Sequence, residues 1–284
     1  MESVQLSSGL VDYEDSGGDG PVLVFAGGLL MDATLWHGVV AALVPNHRCV
    51  VVVLPLGGHR QPMAADADLS LHALADLLAE FIEVLDLDQV TLVGADWGGP
   101  QLTAARHPER LAGLVLLPQE AFDNIPPGLP GFFAALACRL PGGLFGVAQA
   151  LRLSFMWRVP MTFGWMAKRP IPKDVRTSWI TGLRTERGVR RDVAKYVRTS
   201  DMNGFEQAAV GLAAFERPTL IVWATHDKVM PPEHGRRLAD IIPDSTLVEL
   251  DDGYTLLALD CPHEVATHLA AFVARLPDPD ADGR

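Results

Sequence analysis

The sequence predicts an α/β fold with a mostly parallel, doubly wound sheet. Short, uncharged apolar runs alternate with segments of helical periodicity along most of the 284 residues. Strands that lack polar alternation are typical of parallel sheets covered by helices on both faces. The alternation is interrupted once, between Glu120 and Pro218, where it resumes. One α/β domain with a helical insertion accounts for these observations.

The predicted strands begin with an N-terminal hairpin over residues 5–15, whose turn falls at Ser7-Ser8-Gly9. Six apolar runs then predict buried strands, at Pro21–Ala26, Cys49–Leu54, Val90–Val93, Leu111–Leu117, Thr219–Trp223 and Ser245–Leu250. Leucines at helical spacing from Leu69 to Leu85 predict a helix that Asp68 or Ser70 could cap. Further helices are predicted over residues 98–106, 232–241 and 262–276.

A helical cap is predicted over residues 121–210. This insertion is rich in proline and holds three of the six tryptophans. It divides the core into residues 1–120 and 211–276, and the Pro- and Asp-rich residues 277–284 are predicted to form a disordered tail. We expect the cap to cover the C-terminal edge of the sheet, where open α/β sheets bind ligands.

Composition argues against several classes of function. The net charge of −12 disfavours a nucleic-acid partner. Cys49, Cys138 and Cys261 have neither disulfide-framework nor zinc-ligand spacing. No secretory signal is recognisable at the N-terminus, and Arg and Pro interrupt the most apolar stretch, residues 125–166. We therefore expect a cytoplasmic protein without a membrane span, metal or organic cofactor, either monomeric or homodimeric.

One segment departs from this acidic balance. From Lys168 to Arg198, ten Lys and Arg residues stand against three Asp and Glu. A solvated helix face is the ordinary interpretation of such a pattern. A cap that attracts anionic ligands is the alternative.

The most informative segment runs from Gly94 to Gly99, Gly-Ala-Asp-Trp-Gly-Gly, between a buried strand and a helix. It has the Gly-x-nucleophile-x-Gly spacing of a nucleophile elbow, with Asp96 as nucleophile. The central residue of such a turn has positive φ, so the residues two positions away must be small. The N–H groups of the following helix would hold the carboxylate ionised. An ordinary Asp N-cap is the alternative.

This segment resembles the Gly-x-Asp-Trp-Gly-Gly elbow of epoxide hydrolases and haloalkane dehalogenases, and the order of elements is similar along nearly the whole chain. The resemblance implies an α/β-hydrolase fold with the cap inserted after the fourth buried strand. It implies further that Asp96 attacks an epoxide or halide carbon and forms an ester. In that family a histidine paired with an acid then activates water to hydrolyse the ester.

The oxyanion segment implied by the resemblance is Phe25-Ala26-Gly27-Gly28-Leu29, where the family usually has His-Gly-x-Pro. Backbone N–H groups stabilise an oxyanion, so Leu29 N–H and Trp97 N–H are the predicted donors beside Gly28. Leu29 cannot supply the side-chain amide with which some dehalogenases hold halide. Only the indole N–H of Trp97 remains for that role, which disfavours a dehalogenase.

Two carboxylates could serve as the acid. Asp227 follows the fifth buried strand and precedes a proline-marked loop, as the family acid does. Glu120 lies just after the fourth buried strand, where some dehalogenases keep their acid. Each could also be an ordinary loop carboxylate.

The base position departs from the family pattern. The chain has Asp251-Asp252-Gly253-Tyr254, where the family has Asp-x-Gly-His. With a pKa of about 10, Tyr254 is a poor base at neutral pH, although its hydroxyl is a good hydrogen-bond donor. Of the nine histidines, His226 and His59 are the candidates that could substitute.

Aromatic residues of the cap could contact substrate. Tyr196 could protonate an opening ring or could pack. Trp157, Trp165 and Trp179 could hold a flat substrate or donate N–H groups, although bulky apolar cap residues more often pack.

Three hypotheses follow. The first is an epoxide-hydrolase-like enzyme acting on an apolar small molecule, with Asp96 as nucleophile or acid/base, Tyr254 as proton donor and Asp227 in support. The second is a lyase, cyclase or isomerase on the same fold, which needs no ester hydrolysis and therefore no histidine. The third is a ligand-binding protein without chemistry. Fold alone does not distinguish them.

Overall fold

The computed structural model describes residues 1–200 and 202–277. The predicted tail therefore lies outside the described residues from position 278 onward. The predicted sheet is present, with eight strands: β1 (Glu2–Leu6), β2 (Gly9–Asp15), β3 (Val22–Ala26), β4 (Arg48–Val53), β5 (Val90–Asp96), β6 (Leu111–Gln119), β7 (Thr219–Ala224) and β8 (Ser245–Leu250).

The sheet has the order β1-β2-β4-β3-β5-β6-β7-β8. Strands β1 and β2 form the predicted hairpin, and β2 pairs antiparallel with β4. Every other pair is parallel, so the carboxyl ends of β3 to β8 lie at one edge. β5 and β7 are buried over their whole length, as their apolar sequences predict.

Helices α1 (His37–Leu43), α2 (Leu71–Val84) and α3 (Gly99–Arg106) precede the insertion. The N-cap of α2 is Ser70, one of the two predicted capping residues, whose hydroxyl accepts from Ala73 N–H. Helix α1 was not predicted, because only Val39 and Leu43 of its seven residues are buried and give a weak periodic signal.

The insertion contains α4 (Gly128–Arg139), α5 (Gly143–Ala150), α6 (Lys173–Thr185), α7 (Arg187–Thr199) and α8 (Met202–Leu212), with a 3₁₀ turn at Ser154–Arg158. Trp179 of α6 donates to Thr34 Oγ1 at 2.9 Å, which ties the cap to the loop after β3. The cap helices contact one another, whereas α8 packs on α3.

Helices α9 (Pro232–Ile241), α10 (Leu257–Asp260) and α11 (Pro262–Val273) complete the core. Helices α1, α10 and α11 contact one another, and α2, α3, α8 and α9 form a second contiguous group. The sheet is thus covered by two groups of helices, as a parallel sheet requires. Among the helices of the described residues, none has the length and apolar character needed to cross a bilayer.

Candidate active site

The elbow turn places Asp96 at the end of β5, immediately before α3. Asp96 has φ = 63°, and Trp97 N–H donates to Ala95 C=O at 2.7 Å across the turn. A Cβ atom at Gly98 would lie 2.3 Å from the carbonyl oxygen of Glu120, so this position requires glycine. The positive φ and the small neighbour predicted for this turn are both confirmed.

One backbone N–H is directed at the Asp96 carboxylate. The loop after β3 reaches Asp96 because β3 and β5 are adjacent, and Leu29 N–H donates to Oδ2 at 3.0 Å. A Cβ atom at Gly28 would lie 1.9 Å from the same oxygen, so glycine is needed for this close approach. Trp97 N–H, the second predicted donor, is directed at Ala95 instead because it closes the turn. No hydrogen bond from a described residue reaches Oδ1 of Asp96.

The environment of Asp96 favours its neutral form more than water would. Burial raises the pKa of Asp96 to about 7, the hydrogen bond from Leu29 N–H opposes this, and the nearby charge of Asp227 adds to it. The carboxyl group therefore titrates near neutral pH, as groups at functional sites often do.

Glu120 lies beside Asp96 at the end of β6. Its backbone N–H donates to Asp96 C=O at 3.0 Å, and the hydroxyl of Tyr196 donates to its Oε2 at 3.2 Å. Burial and the Asp96 charge raise the pKa of Glu120 to about 8, while the hydrogen bonds from Tyr196 and from Gly98 N–H oppose the shift. Both causes favour the protonated form of Glu120 near neutral pH.

Asp227 follows β7 and is held by three donors on one oxygen. Its Oδ1 accepts from Val229 N–H at 2.8 Å, Met230 N–H at 2.9 Å and Thr255 Oγ1 at 2.8 Å. Its Oδ2 is buried and has no hydrogen-bond partner among the described residues. Burial raises the pKa of Asp227 to about 6 against the effect of these donors.

Tyr254 does not join the carboxyl cluster through a hydrogen bond. Its backbone N–H donates to Asp260 Oδ2 at 3.1 Å, and the Lys228 ammonium lies 4.3 Å from the centre of its ring. Within the described residues the Tyr254 hydroxyl makes no hydrogen bond to Asp96 or Asp227. No direct contact with these described carboxylates therefore supports the proton-donor role suggested for Tyr254.

Neither substitute histidine contacts the cluster. His59 is buried, accepts from Gly57 N–H at 3.1 Å and lies 3.4 Å from an Asp192 oxygen, so both ring nitrogens are occupied. His226 is exposed. In the described part of the chain, no imidazole is hydrogen-bonded to Asp96, Glu120 or Asp227.

The cap tryptophans are packing residues in this arrangement. Trp157 donates to Leu151 C=O and stacks on Phe163 at 4.7 Å, and Trp179 is fully buried with its N–H on Thr34. Trp165 is partly buried against the same core. In contrast, the indole N–H of Trp97 is buried without a partner among the described residues, so it stays available as a donor.

Sequence reasoning missed Thr255 and left the role of Tyr196 open. Thr255 directly follows Tyr254, which stands at the base position of the family pattern, and this adjacency was the only signal in the sequence. In the structure Thr255 is fully buried. Tyr196 lies on the inward face of α7, with Val189 and Val193 at helical spacing. Within the described residues, no group of three His, Cys, Asp or Glu side chains is arranged to hold a metal ion.

Comparison with known proteins shows similarity of the chain to hydrolase-fold proteins. A family model described as "alpha/beta hydrolase fold" matches residues 21–261. Cis-3-alkyl-4-alkyloxetan-2-one decarboxylase of Shewanella oneidensis is 26% identical over 268 residues, which cover 90% of this chain and 83% of that protein. Haloalkane dehalogenase 2 of Mycobacterium tuberculosis is 25% identical over 290 residues, covering 95% and 92%.

A solved structure shares the fold. Haloalkane dehalogenase DbeA from Bradyrhizobium elkani superposes with a TM-score of 0.76 at 20% identity, covering 96% of this chain and 98% of that chain. The eight-stranded sheet and its helices match that architecture, which supports the predicted fold class.

Proposed function

Because the chain belongs to the α/β-hydrolase fold family, we propose that it is an epoxide-hydrolase-like enzyme in which Asp96 attacks a saturated carbon of an apolar small molecule. One observation carries the proposal. Asp96 lies in a turn with φ = 63°, with one carboxylate oxygen on Leu29 N–H and the other free of hydrogen bonds from described residues. A carboxylate held in this way presents one oxygen to an electrophile.

The protonation states of the cluster suit ring opening. Burial raises the pKa of both groups, to about 7 for Asp96 and about 8 for Glu120, so a state with an ionised Asp96 beside a protonated Glu120 is accessible near neutral pH. Oδ1 of Asp96 would form a bond to the ring carbon while the ring C–O bond breaks. The Glu120 proton would pass to the released oxygen, which leaves a hydroxy ester on Asp96 and a carboxylate on Glu120.

Hydrolysis of that ester needs a base for water. Asp227, with a pKa of about 6 and a buried, unpartnered Oδ2, is the base we propose. Water would attack the Asp96 carbonyl carbon while its proton passes to Asp227, and Leu29 N–H would stabilise the oxyanion on Oδ2. Collapse of the intermediate would break the C–O bond to the alkoxide, which takes the proton of the new Asp96 carboxyl group, so that the diol is released and the Asp96 carboxylate is restored. The proton on Asp227 would then leave to solvent and Glu120 would take one up, which returns both groups to their starting states. A carboxylate is a weaker base than an imidazole, so we expect this second step to be slow.

The relatives support an alkyl carbon as the electrophile. The dehalogenase named above acts on haloalkanes, and the decarboxylase acts on a four-membered lactone with two alkyl groups. Leu29 replaces the halide-binding amide, so we favour a strained oxygen ring over a haloalkane.

A second candidate is a non-hydrolytic reaction on the same electrophile. The absence of an imidazole from the carboxyl cluster of the described residues favours it, as does the likeness to a decarboxylase. Such an enzyme would release its product from Asp96 without water.

Intact-mass spectrometry with a panel of alkyl epoxides and dialkyl β-lactones tests both candidates. An adduct with the mass of the whole epoxide, absent in Asp96→Asn and present in the matched control Asp12→Asn, supports Asp96 as the nucleophile.

In H₂¹⁸O, hydrolysis through an ester leaves the label in Asp96 and not in the diol after one turnover. Release of carbon dioxide from a β-lactone without label uptake supports the second candidate. Binding without an adduct or product would contradict both and leave a ligand-binding protein.

A further inference from the structure

A basic cleft lies on the cap, apart from the carboxyl cluster. It has a volume of about 810 Å³ and opens between the α4–α5 turn and α7. Its apolar wall is formed by Leu140, Leu144 and Phe145, and its basic wall by Arg187, Arg190 and Arg198. No Asp or Glu side chain is among the described residues that line it. The volume is within the range of small-molecule sites, about 300–1,000 Å³.

Helix α7 separates this cleft from the candidate active site. The arginines recur at positions 187, 190, 191 and 198, on the face opposite the buried residues Val189, Val193 and Tyr196. Tyr196 contacts Glu120 on the inner side. One helix therefore presents a basic stripe to the cleft and a hydroxyl to the carboxyl cluster.

Among the described residues, three of the four arginines that line the cleft have no acidic partner. Arg191 pairs with Asp192 at 2.7 Å, but no carboxylate of a described residue lies within ion-pair distance of Arg187, Arg190 or Arg198. Several arginines outside the cap, in contrast, form ion pairs with carboxylates, for example Arg48 with Asp15. Arg190 donates to Leu183 C=O and Arg198 donates to Cys138 C=O, so both guanidinium groups are hydrogen-bonded to backbone oxygens. Their positive charges still have no carboxylate partner among the described residues, so an anion bound between the three arginines would be stabilised.

The opposite wall is exposed although it is apolar. Leu140 is 54% exposed and Phe145 is 44% exposed, and the Arg190 guanidinium lies 5.3 Å from the centre of the Phe145 ring. Contact with water alone is unfavourable for this exposed apolar surface. A ligand that satisfies both walls must be anionic at one end and apolar along the rest.

We propose that this cleft binds an amphiphilic phosphate, with the phosphate on Arg187, Arg190 and Arg198 and the alkyl chain along Leu140 and Phe145. Arginine forks match phosphate oxygens, and a dianion balances more of the unpaired charge than a carboxylate does. This site is separate from Asp96 and does not depend on the chemistry proposed there. The anionic-ligand interpretation of the basic segment is thereby preferred to a merely solvated face.

Calorimetric titration of the full chain with decyl phosphate, kept below its micelle concentration, tests the cleft. We expect saturable binding of decyl phosphate, weaker binding of inorganic phosphate, and no comparable binding of decyl maltoside. Equal binding of the maltoside would overturn the proposal, because the arginines would then contribute nothing.

Two variants locate the site. Arg187→Gln and Phe145→Ala change exposed side chains, and each should weaken decyl phosphate binding about fivefold or more, since one exposed charge or apolar contact contributes about 1 kcal/mol. Arg158→Gln and Phe155→Ala are matched controls, because both side chains are exposed on the cap but lie outside the cleft. Equal weakening by the controls would overturn the proposal in favour of a diffuse basic surface.

Two further experiments identify the source of the phosphate and show whether binding in the cleft is independent of the chemistry at Asp96. Cosedimentation with phosphatidylglycerol vesicles, weakened by Arg187→Gln and unaffected by Arg158→Gln, would support the cleft and identify a membrane lipid as the source. Binding of soluble decyl phosphate alone would support the cleft with a free ligand. Asp96→Asn should bind as the parent does, so a failure here is distinct from a failure of the proposed hydrolase.

Discussion

Thr255 Oγ1 donates to Oδ1 of Asp227 at 2.8 Å, while Oδ2 of the same carboxylate is buried and has no partner among the described residues. A buried oxygen without a donor is costly. In the resembled family a histidine occupies position 254 and pairs with this acid. By this resemblance, we expect an imidazole at position 254 to donate to the free Oδ2 of Asp227.

Tyr254→His is therefore expected to increase hydrolysis of the Asp96 ester. An imidazole beside Asp227 would be a stronger base for water than the carboxylate, and general-base catalysis contributes about 10²–10⁴-fold. We expect at least a tenfold faster decay of the adduct in intact-mass spectra of single turnovers, with its formation unchanged.

Tyr254→Phe is the control. Because the Tyr254 hydroxyl makes no hydrogen bond to the cluster, its removal should leave adduct formation within about twofold of the parent. A large loss in Tyr254→Phe would show instead that the tyrosine donates a proton to the opening ring.

Gly28→Ala should abolish adduct formation. The new methyl group would lie 1.9 Å from Asp96 Oδ2, so the loop after β3 would move and Leu29 N–H would lose its contact. Because Leu29 N–H is also the oxyanion donor proposed for ester hydrolysis, any adduct that forms should decay about 10²–10³-fold more slowly than in the parent. Gly146→Ala is a matched control, since nothing lies within 4 Å of a Cβ atom there. Adduct formation in Gly28→Ala at the parent rate would contradict the proposed role of this loop.

The pH dependence of stability should report the buried Asp96. Its pKa is about 7 in the folded protein against 3.8 in a solvated chain. The unfolded state therefore releases this proton first, and the free energy of unfolding falls as pH rises from about 4 to 7. Asp96→Asn should be more stable than the parent at pH 8 by up to about 4 kcal/mol, and the difference should disappear near pH 4. Urea unfolding at both pH values measures it.

Asp15→Asn should change the free energy of unfolding in the opposite direction to Asp96→Asn. Burial acts to raise the pKa of Asp15, but its hydrogen bond and charge pairing with Arg48 prevail and lower it. That group contributes stability above its unfolded pKa, so Asp15→Asn should be less stable than the parent at neutral pH. If both variants changed stability in the same direction, the account of Asp96 would be wrong.

Local patterns predicted the parts of the site that one segment determines. The elbow, its positive φ and its glycine neighbours follow from six consecutive residues, because the turn is closed by its own backbone. The hairpin and the Ser70 cap are local in the same sense. Contacts between distant segments were not predictable, such as Tyr196 with Glu120 or Lys228 over Tyr254, because their geometry depends on how the cap and loops pack.

Trp97 shows that even a local motif does not predict the partner of every backbone N–H. The family pattern assigns its N–H to the oxyanion, but in this turn the same N–H donates to Ala95 C=O. The direction of a single donor depends on the exact backbone torsions, which residue types alone do not specify.

Tyr196→Phe should shift the alkaline limb of the pH–rate profile upward. The Tyr196 hydroxyl stabilises the Glu120 carboxylate, and thus lowers the pKa that burial and Asp96 have raised to about 8. Without this donor the pKa of Glu120 rises further. The protonated acid needed for ring opening then persists to higher pH, and activity is lost later as pH increases. The rate of adduct formation with an epoxide, measured from pH 6 to 10, should show this shift while its acidic limb, set by Asp96, moves less. Tyr13→Phe removes a comparable tyrosine–glutamate contact, with Glu2 of the distant hairpin, and should leave the profile unchanged. An acidic shift in Tyr196→Phe would show that Glu120 does not act as the proton donor.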